Sequence, residues 1–132
     1  MVSMEREKTN DGFNKAINRL LVNITVRTLW IYVLATLKES PTYPYQLKKI
    51  IREKFSFNPP TVTLYTVVYK LERDGLIEKT PDGMYKITGD GLKALSEASK
   101  LLMEIAQKIS SVESPAIVER TTESSEEIRR PQ

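Results

Sequence analysis

Three threonine hydroxyls, two phenols and two cations are gathered between Thr61 and Arg73, in the run T-V-T-L-Y-T-V-V-Y-K-L-E-R. Within it Leu64, Val67, Val68 and Leu71 recur at helical spacing and make one apolar stripe. At about 100° per residue the opposite side carries Val62, Thr66, Tyr69 and Arg73, flanked by Thr63, Tyr65 and Lys70. The nearby acids are Glu72, which lies toward the apolar side, and Asp74 beyond the end. Hydroxyls and cations on an exposed helix face suit phosphate oxygens and the edges of bases in a major groove. In such a role Thr61, Thr63 and Tyr65 donate hydrogen bonds and Val62 meets a thymine methyl. Tyr69 and Lys70 hold phosphates, and Arg73, late in the helix, meets the backbone.

Other chemistry is poorly provided for. The 132 residues contain no cysteine and no histidine. That removes thiolate nucleophiles, the commonest general base and the usual zinc ligands. The carboxylates form no evident pair, so neither catalysis, a metal nor a cofactor is expected. The net charge of +3 is unevenly spread: residues 25–88 hold ten Lys/Arg against six Asp/Glu, while 111–132 hold three against five. The positive excess therefore coincides with the hydroxyl-rich helix, as a polyanionic partner requires.

The surrounding elements are those needed to present such a helix. Pro59 and Pro60 suit a helix N-terminus, Thr61 is a candidate cap, and Gly75 stands where a stop is expected. Upstream, Ser40-Pro41-Thr42 closes one helix and opens another, roughly Tyr43 to Phe55, with Leu47, Ile50, Ile51 and Phe55 inward and Lys48, Lys49, Arg52 and Lys54 elsewhere. Two helices joined by the short turn Phe55–Pro60 make a helix-turn-helix. After Gly75 the period changes. Leu76–Thr80, Pro81-Asp82-Gly83 and Met84–Thr88 read as strand, tight turn and strand. Lys79 and Lys86 flank the tip of this wing and are candidate backbone contacts. The fold class expected is mainly α with a small β-hairpin (α+β): a winged helix-turn-helix with N- and C-terminal dimerisation helices.

Residues 1–10 are polar and read as a flexible N-terminus. Phe13, Ile17, Leu20, Leu21 and Ile24 mark an amphipathic helix, with a break expected near Asn23–Thr25. Helical spacing resumes through Leu29, Trp30, Val33, Leu34 and Leu37. Arg27 and Lys38 interrupt this apolar surface, so no membrane span is expected. A last helix from Gly89 carries Leu92, Leu95, Ala98, Leu102, Ile105, Ile109 and Val112 near heptad spacing. Such a seam needs a second surface, and a second copy of the chain is the expectation, with folding back onto its own domain as the alternative. Dimerisation is assigned to Phe13, Ile17, Leu20, Leu21, Leu95, Leu102, Ile105 and Ile109. The chain thus divides into 1–10, a DNA-binding domain over 11–88, a dimerisation helix over 89–112 and a flexible polar tail over 113–132. A small aromatic effector near Trp30 is a further expectation, set against the commoner use of such a tryptophan in a core.

The run L-W-I-Y-V-L-A-T-L-K-E-S-P-T-Y-P-Y-Q-L, then T-V-T-L-Y-T-V-V-Y-K-L-E-R-D-G-L-I, then Y-K-I-T-G-D-G-L resembles PadR-like transcriptional regulators over about Leu29 to Leu95. Thr63-Leu64-Tyr65 with Lys70–Ile77, Tyr45-Gln46-Leu47 and Thr88–Gly91 carry the likeness. Pro44, Thr66 and Val62 stand where the family often has glycine, proline and glycine. The resemblance implies a cytoplasmic, homodimeric winged-helix regulator, usually a repressor, joined through its terminal helices. Together these readings predict sequence-specific binding to a pseudo-palindromic operator. The alternative is a winged-helix module that binds another protein and no DNA.

Overall fold

The computed structural model describes residues 11–113. The N-terminus expected to be flexible over 1–10, and all but Glu113 of the tail expected over 113–132, lie outside them. The chain divides into two compact units, one ending at Ser96 and one beginning at Glu97. In order the elements are α1 (Asp11–Ile24), a 3-10 turn (Val26–Thr28), α2 (Leu29–Glu39), α3 (Pro44–Phe55), α4 (Thr61–Arg73), β1 (Ile77–Lys79), β2 (Tyr85–Ile87) and α5 (Gly89–Ser111). The first unit is a helix-turn-helix followed by a two-stranded antiparallel hairpin, as the sequence predicts.

Its core is built from one stripe of each helix. Leu29, Val33, Leu34 and Leu37 of α2 meet Leu47 and Ile51 of α3 and Leu64, Val68 and Leu71 of α4, and Ile77 and Tyr85 close the cluster from the wing. Each fully buried aliphatic side chain of this kind contributes about 1.5–3 kcal/mol relative to exposure. By length and composition alone Asp11–Glu39 is apolar enough to cross a membrane. The structure buries residues from the second half of that stretch only. The helix breaks after Ile24, and the part from Leu29 onward forms the centre of the winged helix.

The break falls where β-branched residues crowd the backbone. Thr25 donates its hydroxyl to Leu21 O at 2.5 Å, and Tyr32 donates its own to Ile24 O at 2.5 Å. The Tyr32 ring meets Phe55 and Phe57 edge-on, both at 4.9 Å, so the end of α1 is tied to the turn that leads into α4. α1 itself buries no residue. Phe13, Leu20, Leu21 and Ile24 are exposed and Ile17 is half-buried.

The second unit is the continuation of α5. Leu102, Ile105 and Ile109 are exposed there, as are Leu101, Met103 and Val112. Leu95 behaves differently from the other residues assigned to dimerisation. It precedes the unit boundary and packs against the winged-helix core of its own chain.

At the start of α5 the backbone passes very close to the wing. A Cβ at Gly91 would lie 2.2 Å from Leu76 O and 2.6 Å from Ile87 Cγ1. A main-chain oxygen cannot swing away as a flexible side chain can, so Gly91→Ala forces the strand and helix apart. We expect it to lower stability by at least about 1–3 kcal/mol, read from the urea midpoint at unchanged m-value.

Candidate nucleic-acid interface

α4 is held at both ends by the chemistry of its termini. Pro60, not Thr61, is the N-cap residue, and Thr61 is the first helical residue. The expected threonine cap is therefore absent. Thr61 Oγ1 instead accepts a hydrogen bond at 2.6 Å from Lys48 Nζ on α3. At the other end Gly75 takes a φ of +79°. Leu76 N–H donates to Leu71 O at 2.9 Å and Gly75 N–H to Glu72 O at 3.1 Å. This paired closure needs a left-handed residue after the last turn, which glycine supplies without a steric cost.

With Leu64, Val68 and Leu71 buried, the opposite side of α4 is open. Val62 (80 % exposed) and Tyr69 (63 %) stand clear of the domain, and Tyr65 retains 46 %. Thr61, Thr66, Lys70 and Arg73 are also exposed, while Thr63 is half-buried. The Thr66 hydroxyl donates back to Val62 O at 2.9 Å. Its proton is thus engaged, and it offers a groove an acceptor rather than a donor. Arg73 lies 3.6 Å from Asp74 in an exposed pair, and Lys70 makes no ion pair among the described residues. The face from Val62 to Lys70 contains no acid.

The wing is fastened to this helix through Tyr85. Its backbone forms a two-way bridge with Thr42, N–H to O at 2.9 and 3.0 Å, so the α2–α3 connection acts as a third strand beside β2. Its phenol donates to Glu72 Oε1 at 3.0 Å. Burial raises the Tyr85 pKa above the usual phenol value, and the hydrogen bond to Glu72 and the charge of that carboxylate push it further. Burial alone raises that of Tyr32. In the hairpin register Glu78 faces Lys86 and Lys79 faces Tyr85. Lys86 reaches Glu78 at 3.4 Å, and Lys79 lies over the Tyr85 ring at 5.4 Å. Successive strand residues face opposite sides, so the two wing lysines do not share a face. Each also has a partner within the chain.

Two features escape sequence reading. One is the Lys48–Thr61 contact, which spans thirteen residues and depends on how α3 packs on α4. The other is an open cavity of about 420 Å³ lined by Trp30, Val67, Lys70, Leu71, Asp74, Leu76 and Ala94. Trp30 was anticipated at such a place. Its neighbours were not, and three of them, Val67, Lys70 and Leu71, belong to α4, with Asp74 as the residue that ends it.

The fold is a winged helix-turn-helix that leaves one hydroxyl-rich face of its second helix exposed. Residues 33–97 match the model of the transcriptional regulator PadR-like family. The fold is similar to a transcriptional regulator from Clostridium thermocellum, at 24 % identity and a TM-score of 0.56 over 64 % of this chain and 89 % of that one. It is also similar to F93 from STIV, a winged-helix DNA-binding protein, at 23 % identity and a TM-score of 0.54 over 61 % of this chain and 94 % of that one. The chain matches no curated protein.

Tyr85→Phe removes the link between wing and α4 while keeping the ring. We expect a loss of about 0.5–1.5 kcal/mol in denaturant titrations near neutral pH. Because the folded pKa lies above the ordinary 10.0, the stability supplied by the neutral phenol is full below pH 10 and is lost as pH rises through the folded value. The Phe variant is therefore expected to lose less stability than the parent in alkaline titration.

Proposed function

We propose that the chain is a sequence-specific DNA-binding regulator that works as a homodimer, each protomer laying the N-terminal half of α4 in a major groove. The observation that carries this reading is the exposed, acid-free face of α4 within a PadR-like winged helix. Val62, Thr63, Tyr65 and Thr66 are the groove-facing set, with Thr61 at the entry. Tyr69, Lys70 and Arg73 serve the phosphates, and of the wing lysines Lys86, on the outward side of β2, is better placed than Lys79.

A second copy is the partner proposed for the apolar surfaces of both units. In this reading residues 11–88 read DNA and 89–112 pair the protomers. Ile17, Leu20 and Leu21 of α1, with Phe13 at its start, then meet the Leu102–Ile105–Ile109 seam of α5. Two reading helices about 34 Å apart face successive major grooves on one side of a duplex, which calls for a pseudo-palindromic operator. Repression in the cytoplasm is the mode that the family resemblance suggests.

The test is a gel-shift titration at several salt concentrations on specific and random duplexes. Binding that weakens steeply with salt supports the reading. Salt-indifferent or absent binding would favour a winged helix that docks on another protein. Lys70→Ala is expected to weaken binding to all duplexes by a similar factor and to reduce the slope of log K against log salt by about 1. Sedimentation should give a dimer for the parent and a monomer once Ile105 is replaced by Glu.

The cavity beside Trp30 is the proposed effector site, taking a small, largely apolar, flat molecule. A ligand there would press on Val67, Lys70 and Leu71 of the reading helix itself and on Asp74 at its end. Trp30 is the sole tryptophan, so its fluorescence reports occupancy directly. Saturable quenching by a planar aromatic compound that also lowers operator affinity is the expected result.

A further inference from the structure

The open cavity beside Trp30 has a pattern of charge that a merely apolar ligand would leave idle. Most of its wall is apolar: Trp30 of α2, Val67 and Leu71 of α4, Leu76 after the turn and Ala94 near the start of α5. Two residues of opposite charge complete the lining, Lys70 and Asp74. All seven belong to the first compact unit.

Lys70 and Asp74 are four residues apart at the C-terminal end of α4, so they are neighbours on one face, with Cβ atoms about 5–6 Å apart. That spacing permits an ion pair, yet the two are not paired with each other. Lys70 has no ion pair among the described residues. Asp74 meets Arg73 Nε at 3.6 Å, which is outside the range of a good hydrogen bond. Both side chains are exposed. The cavity therefore offers one cation and one anion side by side at the edge of an apolar wall.

We propose that the ligand of this cavity is a zwitterion of the α-amino acid class with an aromatic side chain. Its carboxylate meets Lys70, its ammonium meets Asp74, and its ring lies against Trp30 and the aliphatic wall. This rests on the effector reading above and names the chemistry of that same site. An α-amino acid carries both charges on one carbon, which suits two opposite charges one helical turn apart. A simple aromatic acid fits less well. In reaching Lys70 it brings its carboxylate beside that of Asp74, and like charges so close repel. A simple amine has the same fault at Lys70. The negative end of the α4 dipole also favours an ammonium at Asp74, the residue that caps the helix. The apolar wall supplies affinity, and the charged pair selects the ligand and fixes its orientation.

The experiment titrates the full chain with phenylalanine, phenylpropionate and phenethylamine, following Trp30 emission excited beyond the absorption of the phenyl ring. The three compounds share the ring and differ in which charge they carry. Phenylalanine is expected to bind tightest, with each singly charged analogue about three- to tenfold weaker. Lys70→Gln should weaken phenylalanine and phenylpropionate by a similar factor and leave phenethylamine no weaker. Asp74→Asn should weaken phenylalanine and phenethylamine and leave phenylpropionate no weaker. Both side chains are exposed, so circular dichroism should match the parent. Phenylpropionate binding as tightly as phenylalanine overturns the zwitterion and leaves the effector cavity standing. So does a variant that weakens all three compounds alike, or binding of uncharged indole with none of the three. No saturable response to any of these compounds takes down the effector reading as well.

Discussion

Tyr85 is the residue on which the geometry of the reading face depends. Its ring fills the end of the core, its backbone pairs with Thr42, and its phenol holds Glu72 on α4. One residue therefore fixes the wing, the α2–α3 connection and the C-terminal half of the reading helix to each other. A two-stranded hairpin of three residues a side has little stability of its own. Here it borrows stability from the core through Ile77 and Tyr85 and from the bridge to Thr42. The Schellman closure at Gly75 lets the chain turn from α4 into β1 with its carbonyls satisfied, so that Leu76 and Ile77 arrive at the core at once.

Several exposed cations of α3 and α4 keep no acidic partner among the described residues. Glu72, the acid within α4, is turned to the wing and hydrogen-bonded there. Glu78 is occupied by Lys86, and Glu39 by Lys54. What remains without an acidic partner among the described residues includes Lys49, Arg52 and Lys70. Exposed pairs of the first kind contribute little to stability, about 0–1 kcal/mol each. Their consequence is better described as spatial. Glu78 and Glu39 are each paired with a lysine outside α4, and the face of α4 from Val62 to Lys70 carries no acid.

Much of this was legible in the sequence because it follows from periodicity. The inward stripe Leu64, Val68 and Leu71, the stop at Gly75, the hairpin around Asp82-Gly83 and the break near Thr25 each rest on local rules, and each is present. The misses share a physical cause, since they depend on contacts between residues far apart in the chain. Thr61 reads as a cap by residue type, yet Pro60 begins the helix and the hydroxyl faces Lys48 instead. Leu95 fits the heptad seam, but α5 crosses the wing at Gly91 so closely that its first turns are drawn into the core. Thr42 reads as a helix cap and is in fact buried against β2. The contact of Lys48 on α3 with Thr61 on α4 was invisible for the same reason.

The proposed pairing of protomers follows from what a single reading helix lacks. α4 is thirteen residues long and only its first turns would lie deep in a groove. Base contacts of the kind Val62, Thr63 and Thr66 offer discriminate by about 1–3 kcal/mol per good pair, and one helix makes few of them. Joining two such helices turns the second docking into an intramolecular step, whose effective concentration multiplies affinity without new chemistry. The gain exists only if the spacing between the helices is fixed. α1 is attached through the Tyr32 hydroxyl at Ile24, and the same ring contacts Phe55 and Phe57 just before α4. A partner seated on α1 would therefore set the attitude of the turn that launches the reading helix. In the proposed arrangement dimerisation and groove spacing would both act through the Tyr32–Phe55–Phe57 cluster.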